Sequence, residues 1–225
     1  MAFAPSAWSA CIGPDAAIVV FAKAPVPGRV KTRLAPALGP WRAARLHARL
    51  VERTLETAVA ARIGTVELHV APSRNSSFFR RLHEQTGVHV RLQKGAHLGE
   101  RMAAAFASAL RRHRFVVLIG SDCPALRASD LRRAVRLLRG ASDVVLAPAE
   151  DGGYVLIGLR RPRPRLFEAI EWGEASVLES TVRQIDAQQL ALRTLRTLWD
   201  VDRPQELERL RLLRHSAGSR RSARR

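Results

Sequence analysis

Between Phe21 and Pro36 the chain reads FAKAPVPGRVKTRLAP, with four cations (Lys23, Arg29, Lys31, Arg33), three prolines, one glycine and no acid. Prolines restrict the backbone of such a loop, and Gly28 allows a tight turn or a close approach of backbone to a ligand. The cations can then face one polyanion, helped by backbone N–H groups where the loop turns into a helix. The spacing is not that of the nucleoside-triphosphate P-loop. Phosphate binding is the chemistry these residue types suit, and an ordinary solvated loop is the competing reading.

Four further stretches carry groups that could act beside bound phosphate. In GSDCPAL, Asp122 follows an apolar run. A hard carboxylate there can hold Mg2+ or Mn2+ against substrate phosphates, or it can shape the turn before Pro124. In AEDGGYVLIGL, Glu150 and Asp151 could bind hydroxyls or accept a proton. Gly152, Gly153 and Tyr154 would line the same acceptor side, although Asp-Gly-Gly between two strands is also a hairpin signal. In LWDVDRPQEL, Asp200 or Asp202 could be a second metal ligand. Asp202 with Gln205 also fits a capping box, with Pro204 in the first helical turn. In LGERM, Glu100 and Arg101 open a helix after the third strand, a carboxyl-end position, and are candidates for nucleotide or phosphate binding, while His97 before them reads as a polar loop residue. Cys123 has no Cys/His cluster around it to suggest zinc and reads as a small buried side chain.

The elements that must position these groups follow from hydrophobic periodicity. Strands are expected at AAIVVFA, TVELHVA, VHVRLQ, FVVLIG, DVVLAPA, GYVLIGL and LALRTLRTL. Helices are expected at PWRAARLHARLVERTLETAVAARI, SSFFRRLHEQTG, LGERMAAAFASALRRHR, RASDLRRAVRLLRG (capped by Ser129 and stopped by Gly140), SVLESTVRQIDAQ and RPQELERLRLLRH. This alternation predicts a three-layer α/β/α sandwich with a mostly parallel central sheet and one antiparallel insertion. Ligands of such sheets bind outside the carboxyl ends of the strands. The candidate groups follow the strands AAIVVFA, FVVLIG and DVVLAPA, which is where that rule puts a site.

The chain has 225 residues, 47% of them hydrophobic, which suits a single domain able to bury a sizeable core. We expect a flexible extension over residues 1–15, the domain over 16–213 and a disordered basic tail over 214–225. No apolar run approaches the roughly 20 residues that span a bilayer, the opening residues lack a signal-peptide pattern, and Cys11 and Cys123 do not make a disulfide framework. The cytoplasm is the expected compartment, with no membrane partner. The formal net charge is +18, but nearly all cations are arginines spread over every helix, and the only lysines are Lys23, Lys31 and Lys94. That reads as a bias toward arginine on a solvated surface rather than a nucleic-acid footprint, because no aromatic-basic interleaving accompanies it.

FAKAPVPGRVKTRLAP, LGERMAAAF, GSDCP, AEDGGYVLIGL and WDVDRP occur in this order over roughly Ala16 to Leu213. Together they resemble a bacterial family of glycosyltransferase A superfamily proteins, the radical-SAM/selenodomain-associated transferases linked to arsenosugar biosynthesis. More distantly the chain is similar to nucleotidyltransferases that make molybdopterin dinucleotide cofactors or guanylylate 2-phospho-lactate. The resemblance implies a nucleotide-diphospho-sugar transferase-like fold. It places donor phosphates at Lys23, Gly28, Arg29, Lys31 and Arg33, and a metal at Asp122 completed by Asp202. The sequence departs from the pattern at three points. It has Ser-Asp-Cys in place of Asp-x-Asp, His97 where members carry Asp, and WGEAS (Trp172 to Ser176) in place of Trp-Ser-Thr.

The expected function is a metal-dependent transferase taking a nucleotide or nucleotide-sugar donor, with Asp122, Asp151 and Lys31 at the chemistry and a small-molecule acceptor. Glycosyl transfer leads on the resemblance. Nucleotidyl transfer, releasing pyrophosphate, is the alternative, because both reactions need negative charge stabilised on a leaving phosphate. A basic nucleic-acid-binding protein on an inactive transferase fold is the alternative from another class.

Overall fold

A computed structural model describes residues 15–222, and side chains through residue 213. Seven strands form one sheet in the order β3-β2-β1-β4-β6-β5-β7. They are β1 (Ala16–Lys23), β2 (Thr65–Ala71), β3 (His89–Leu92), β4 (Phe115–Ile119), β5 (Val144–Pro148), β6 (Tyr154–Leu159) and β7 (Leu192–Thr194). All pairings are parallel except those of β6, which lies antiparallel between β4 and β5. The expected sandwich with one antiparallel insertion is the observed one. The helices are α1 (Ala35–Leu38), α2 (Pro40–Ala60), α3 (Ser77–Thr86), α4 (Leu98–Ala109), α5 (Ala128–Arg139), α6 (Val177–Ala187) and α7 (Pro204–Ser222).

β1 shows why the sheet lies in the middle. Its apolar run has no polar face, as a strand covered on both sides requires. Ile18 and Val20 pack with Val51 and Leu55 of α2 and Leu131 and Val135 of α5. Val19 and Phe21 point to the opposite face and pack with Met102 and Phe106 of α4. A third apolar group matters most for the site. Leu34, at the end of the cationic loop, packs with Ala43 and Leu50 of α2 and with Val201 and Leu210 near the carboxyl terminus. Leu34 and Val201 are both fully buried.

Helix ends differ from expectation in two places. α5 begins at Ala128, so Ser129 lies inside its first turn, and the Asp130 carboxylate accepts the Arg127 N–H at 2.9 Å. α7 begins at Pro204, as a proline in the first turn allows. Its capping acid is Glu206, which accepts the Arg203 N–H, so neither Asp202 nor Gln205 serves that role. The α7 backbone stays helical through Ser222, whereas the sequence reading ended the last helix at His215 and expected a disordered tail over residues 214–225. Residues 1–14 and 223–225 of the expected extension and tail lie outside the described residues. Among the described residues no helix is long and apolar enough to cross a membrane.

Candidate active site

Three loops meet at the carboxyl edge of the sheet. The first leaves β1 and carries Lys31, the second leaves β4 and carries Asp122, and the third precedes α7 and carries Asp200 and Asp202. Two features clamp them. The Leu34–Val201 contact buries apolar surface between the first and third loops. The Val201 N–H donates to the Asp122 carbonyl at 3.0 Å, which ties the third loop to the second. Lys31 itself takes a left-handed backbone (φ 49°), a conformation unusual outside glycine. That turn carries its side chain inward, where only 3% of it is exposed.

The Lys31 ammonium lies between two carboxylates. Nζ donates to Asp202 Oδ1 at 2.8 Å and lies 2.7 Å from Asp122 Oδ1. Burial works to lower the pKa of Lys31, but the two carboxylates outweigh it and the net shift is upward. Burial likewise works to raise the pKa of Asp122, and the neighbouring Lys31 and His47 reverse this, holding its carboxyl well below the usual range. Asp122 Oδ1 is buried and, despite its contact with Lys31, has no well-directed hydrogen bond. The side chain as a whole is 40% exposed, so its accessible area falls on the other oxygen, toward solvent. Arg33, mostly exposed, stands 3.8 Å from Asp202 Oδ2.

His47 is a member of the site that the sequence reading missed. It lies on the buried face of α2, 4% exposed, with Nε2 3.0 Å from the Lys23 carbonyl and Nδ1 3.5 Å from Asp122 Oδ1. It thereby contacts the end of β1 through Nε2 and lies beside the metal-candidate carboxylate, with no directed hydrogen bond between Nδ1 and Asp122. The available signal was a lone histidine on a face otherwise made of Ala43, Leu50, Val51 and Leu55. On the same helix Thr54 donates to the Ser121 carbonyl at 3.4 Å, which fixes the backbone just before Asp122.

Asp200 is half-buried, and its pKa is pushed up to about 6, first by burial and then by the negative charges of Asp151 and Asp202. A carboxyl group that titrates near neutrality is suited to proton transfer. Asp151 is exposed and its Oδ1 accepts the Gly153 N–H at 3.0 Å, the turn pattern the sequence suggested. Gly152 takes φ +89°, and a Cβ there would stand 2.0 Å from the Ala175 carbonyl oxygen. Its smallness serves the packing of this turn against the segment before α6.

The remaining expected residues divide. Lys23, Gly28 and Arg29 lie on the cationic loop; Lys23 and Arg29 are exposed, and Gly28 takes φ +76°. Glu150 faces α7, where Arg209 grips both its oxygens at 2.6 and 3.0 Å while stacking over Trp199. Glu100 and Arg101 build the turn before α4. Glu100 accepts the Ala96 N–H at 2.7 Å, and Arg101 donates to the Gly95 and Ala96 carbonyls. His97 is the N-cap of α4, its Nδ1 accepting from the Glu100 N–H at 3.4 Å. Cys123 is free and buried, and burial pushes its thiol up to about 11.

A hollow of about 550 Å³ is lined by His97, Phe167, Ala169, Ile170, Glu171 and Trp172. His97 and Trp172, which belong to two of the stretches where the sequence departs from the resembled pattern, meet there. Gly99 makes the packing possible, since a Cβ on it would lie 2.7 Å from Trp172 Nε1. That Nε1 is buried without a hydrogen-bond partner, and Tyr154 meets the Trp172 ring edge-on.

Comparison with known structures agrees with this architecture. The chain is 33% identical to a crystal structure from Desulfovibrio desulfuricans named as a candidate nucleotide-diphospho-sugar transferase, with a TM-score of 0.76 over 84% of this chain and 82% of that one. It shares the fold of CMP:2-keto-3-deoxy-manno-octonic acid synthetase complexed with CTP (13% identity, TM-score 0.57, 90% and 99% covered). It also shares the fold of Rv0371c from Mycobacterium tuberculosis in complex with manganese (17% identity, TM-score 0.53, 88% and 98% covered). No curated protein matches the chain. Residues 54–174 match the family described as "Uncharacterized protein conserved in bacteria (DUF2064)", and with that match over more than half its length the chain belongs to this family.

Proposed function

We propose that the protein is a divalent-metal-dependent transferase that takes a nucleotide-activated sugar and passes the sugar to a small-molecule acceptor. The observation that carries this reading is the Lys31 ammonium held between Asp122 and Asp202 at the carboxyl edge of the sheet. Two carboxylates that share one cation can share another. Asp122 Oδ1, buried and without a directed hydrogen bond, is a ready oxygen ligand. Mg2+ or Mn2+ commonly uses one or two protein carboxylates and takes its other oxygens from water and phosphate. The relative from Desulfovibrio supports the nucleotide-sugar class, and the manganese complex of a fold neighbour supports the metal.

In this reading Asp122 and Asp202 hold the metal, which when bound neutralises charge on the donor diphosphate. Lys31, displaced from the carboxylates, turns its ammonium to the phosphate oxygens, with Arg33, Arg29 and Lys23 along the same loop. An acceptor hydroxyl oxygen bonds to the anomeric carbon, and the bond from that carbon to the diphosphate oxygen breaks. The nucleoside diphosphate leaves with the electron pair, and the hydroxyl proton passes to a carboxylate. Asp151 and Asp200, whose negative charges interact at the same edge, are the carboxylates this reading offers it. The hollow between His97 and Trp172 offers the acceptor an aromatic wall. Glu150, tied to Arg209, is left as a structural brace.

The second reading is nucleotidyl transfer, favoured by the CTP complex of a fold neighbour. The two are separated by the leaving group. Incubation with a panel of nucleotide sugars and nucleoside triphosphates, with Mn2+, should yield nucleoside diphosphate from a nucleotide sugar. Pyrophosphate release from a triphosphate, with no turnover of any nucleotide sugar, would overturn glycosyl transfer in favour of the second reading.

A further inference from the structure

At the far edge of the sheet the molecule carries a second concentration of positive charge that the transferase reading does not use. Between β3 and α4 lies a groove of about 740 Å³, lined by Arg74, Arg91, Lys94, Arg101 and Arg111 with no aspartate or glutamate among its lining residues. The volume falls within the roughly 300–1,000 Å³ of small-molecule sites. β3 is the outermost strand and stands three places from β4, so the groove is displaced from Asp122 by roughly 14 Å at the ordinary strand spacing.

The groove is built on an internal charge network. Glu67 is a buried carboxylate on β2, 1% exposed, and it holds Arg91 Nε at 2.9 Å, Arg112 at 2.6 Å and His69 Nε2 at 3.0 Å. Burial of Glu67 is thus compensated from three sides, and the Arg91 guanidinium pairs with it by charge, without a directed hydrogen bond from Nε, with 42% of its side chain still accessible. Arg101 is oriented by the Gly95 and Ala96 carbonyls, which accept its protons and add no charge. Arg74, Lys94 and Arg111 are exposed, and among the described residues their side chains make no hydrogen bond or ion pair. Like charges facing one concavity repel one another, and an anion placed between them relieves that repulsion.

We infer that this groove is a binding site for a small molecule carrying two or more phosphate groups, separate from the donor site at Lys31 and Asp122. A single phosphate would meet only part of a lining that runs from Lys94 and Arg101 at one end of α4 to Arg111 beyond its other end. Single-stranded nucleic acid is the less suited occupant, because no Phe, Tyr or Trp lines the groove to stack a base. The inference does not depend on which group the transferase moves.

The test titrates inorganic tripolyphosphate into the full chain by calorimetry, with EDTA and again with Mn2+, in about 0.15 M salt, where long-range surface attraction is largely screened. Wild type should bind at the groove in both and at a second, Lys31-dependent site with Mn2+. The triple variant Arg74→Ser, Lys94→Ser, Arg111→Ser should lose about tenfold or more in affinity at one site and keep the other, as three exposed charge contacts predict. Lys31→Ala should do the converse. Arg111→Glu alone, a single exposed change, should weaken the same site as the triple variant and serves if the latter fails to fold. A single site abolished by Lys31→Ala and untouched by the groove variants would overturn the inference. So would an oligothymidylate of about ten residues that binds the groove more tightly than tripolyphosphate. A wild type that shows the groove site but no Lys31-dependent site even with Mn2+ would count against the transferase reading and leave the groove standing.

Discussion

Lys31→Met removes the ammonium from between two carboxylates while keeping an unbranched side chain of similar length. In the native protein that ammonium is almost fully buried and contacts Asp122 and Asp202 at 2.7 and 2.8 Å. Removing one partner of a fully buried ion pair costs about 3–5 kcal/mol. Here both carboxylate side chains are 40% exposed, so water can solvate part of the charge left behind, and about 2 kcal/mol is the discounted figure. For a chain of 225 residues this lowers Tm by roughly 4–8 °C. The variant should therefore melt lower than wild type in EDTA. Mn2+ should then restore more stability to the variant than it adds to wild type, because the metal no longer competes with an ammonium for the same oxygens. Thermal denaturation of both proteins with EDTA and with Mn2+ reads both effects. Equal melting temperatures in EDTA, together with equal responses to Mn2+, would refute the claim that Lys31 occupies a cation position between the two carboxylates.

Leu34→Ala should cost about 2–5 kcal/mol, the range for a buried leucine, and should also weaken nucleotide binding because the contact with Val201 that seats Lys31 beside Asp202 is lost; a stability loss with unchanged nucleotide affinity in calorimetry would show that the clamp is not needed. Glu67 has its pKa lowered from 4.5 to about 2, with burial opposed by hydrogen bonds from His69 and Arg112 and by the Arg91 charge. Its contribution is therefore present above about pH 4.5 and lost as the pH falls through about 2. Allowing for its partly exposed arginines, the loss is on the order of 2–3 kcal/mol in urea unfolding, and Glu67→Gln should flatten the acid limb of that profile. Gly152→Ala combines a positive φ with a Cβ 2.0 Å from the Ala175 carbonyl oxygen. It should destabilise by about 2 kcal/mol or more, and a Tm unchanged in a melting scan would mean that the turn adapts freely.

The centre of the sheet was legible because β1, β4, β5 and β6 are short apolar runs bounded by turn residues, and β2 because it alternates. β1, covered on both faces, shows unbroken apolarity, and the position of Asp122 after β4 followed from the rule that ligands sit at carboxyl ends. What local pattern could not supply was pairing over distance. Lys31 and Asp202 are 171 positions apart, and nothing near either one announces the other. Asp202 has a plausible local role as a helix cap, and only the structure shows that Glu206 takes that role and leaves Asp202 free for Lys31. His47 was missed because a single histidine on an apolar helix face looks like core. Its relevance rests on Asp122 and the Lys23 carbonyl, which reach it from two other elements. Glu150 was read as a site group because acids beside two glycines suit ligand binding, and Glu100 because it follows the third strand at a carboxyl-end position; their partners in the structure are Arg209 and the Ala96 N–H. Those pairings depend on how α7 and the turn before α4 pack, which residue spacing does not encode.

In the proposed function Asp122 and Asp202 would hold a divalent metal, which would supply positive charge to the donor phosphate. Asp122→Asn keeps the shape of the side chain and removes its charge. The decisive measurement is isothermal calorimetry of a nucleotide diphosphate against wild type and Asp122→Asn, each with Mn2+ and with EDTA, the fold of the variant being checked by circular dichroism. Wild type should bind the nucleotide more tightly with Mn2+ than with EDTA, and a folded Asp122→Asn should lose that difference. A folded variant that binds the Mn2+–nucleotide as tightly as wild type would contradict the metal site and return Asp122 to the role of a turn residue beside Lys31 and His47.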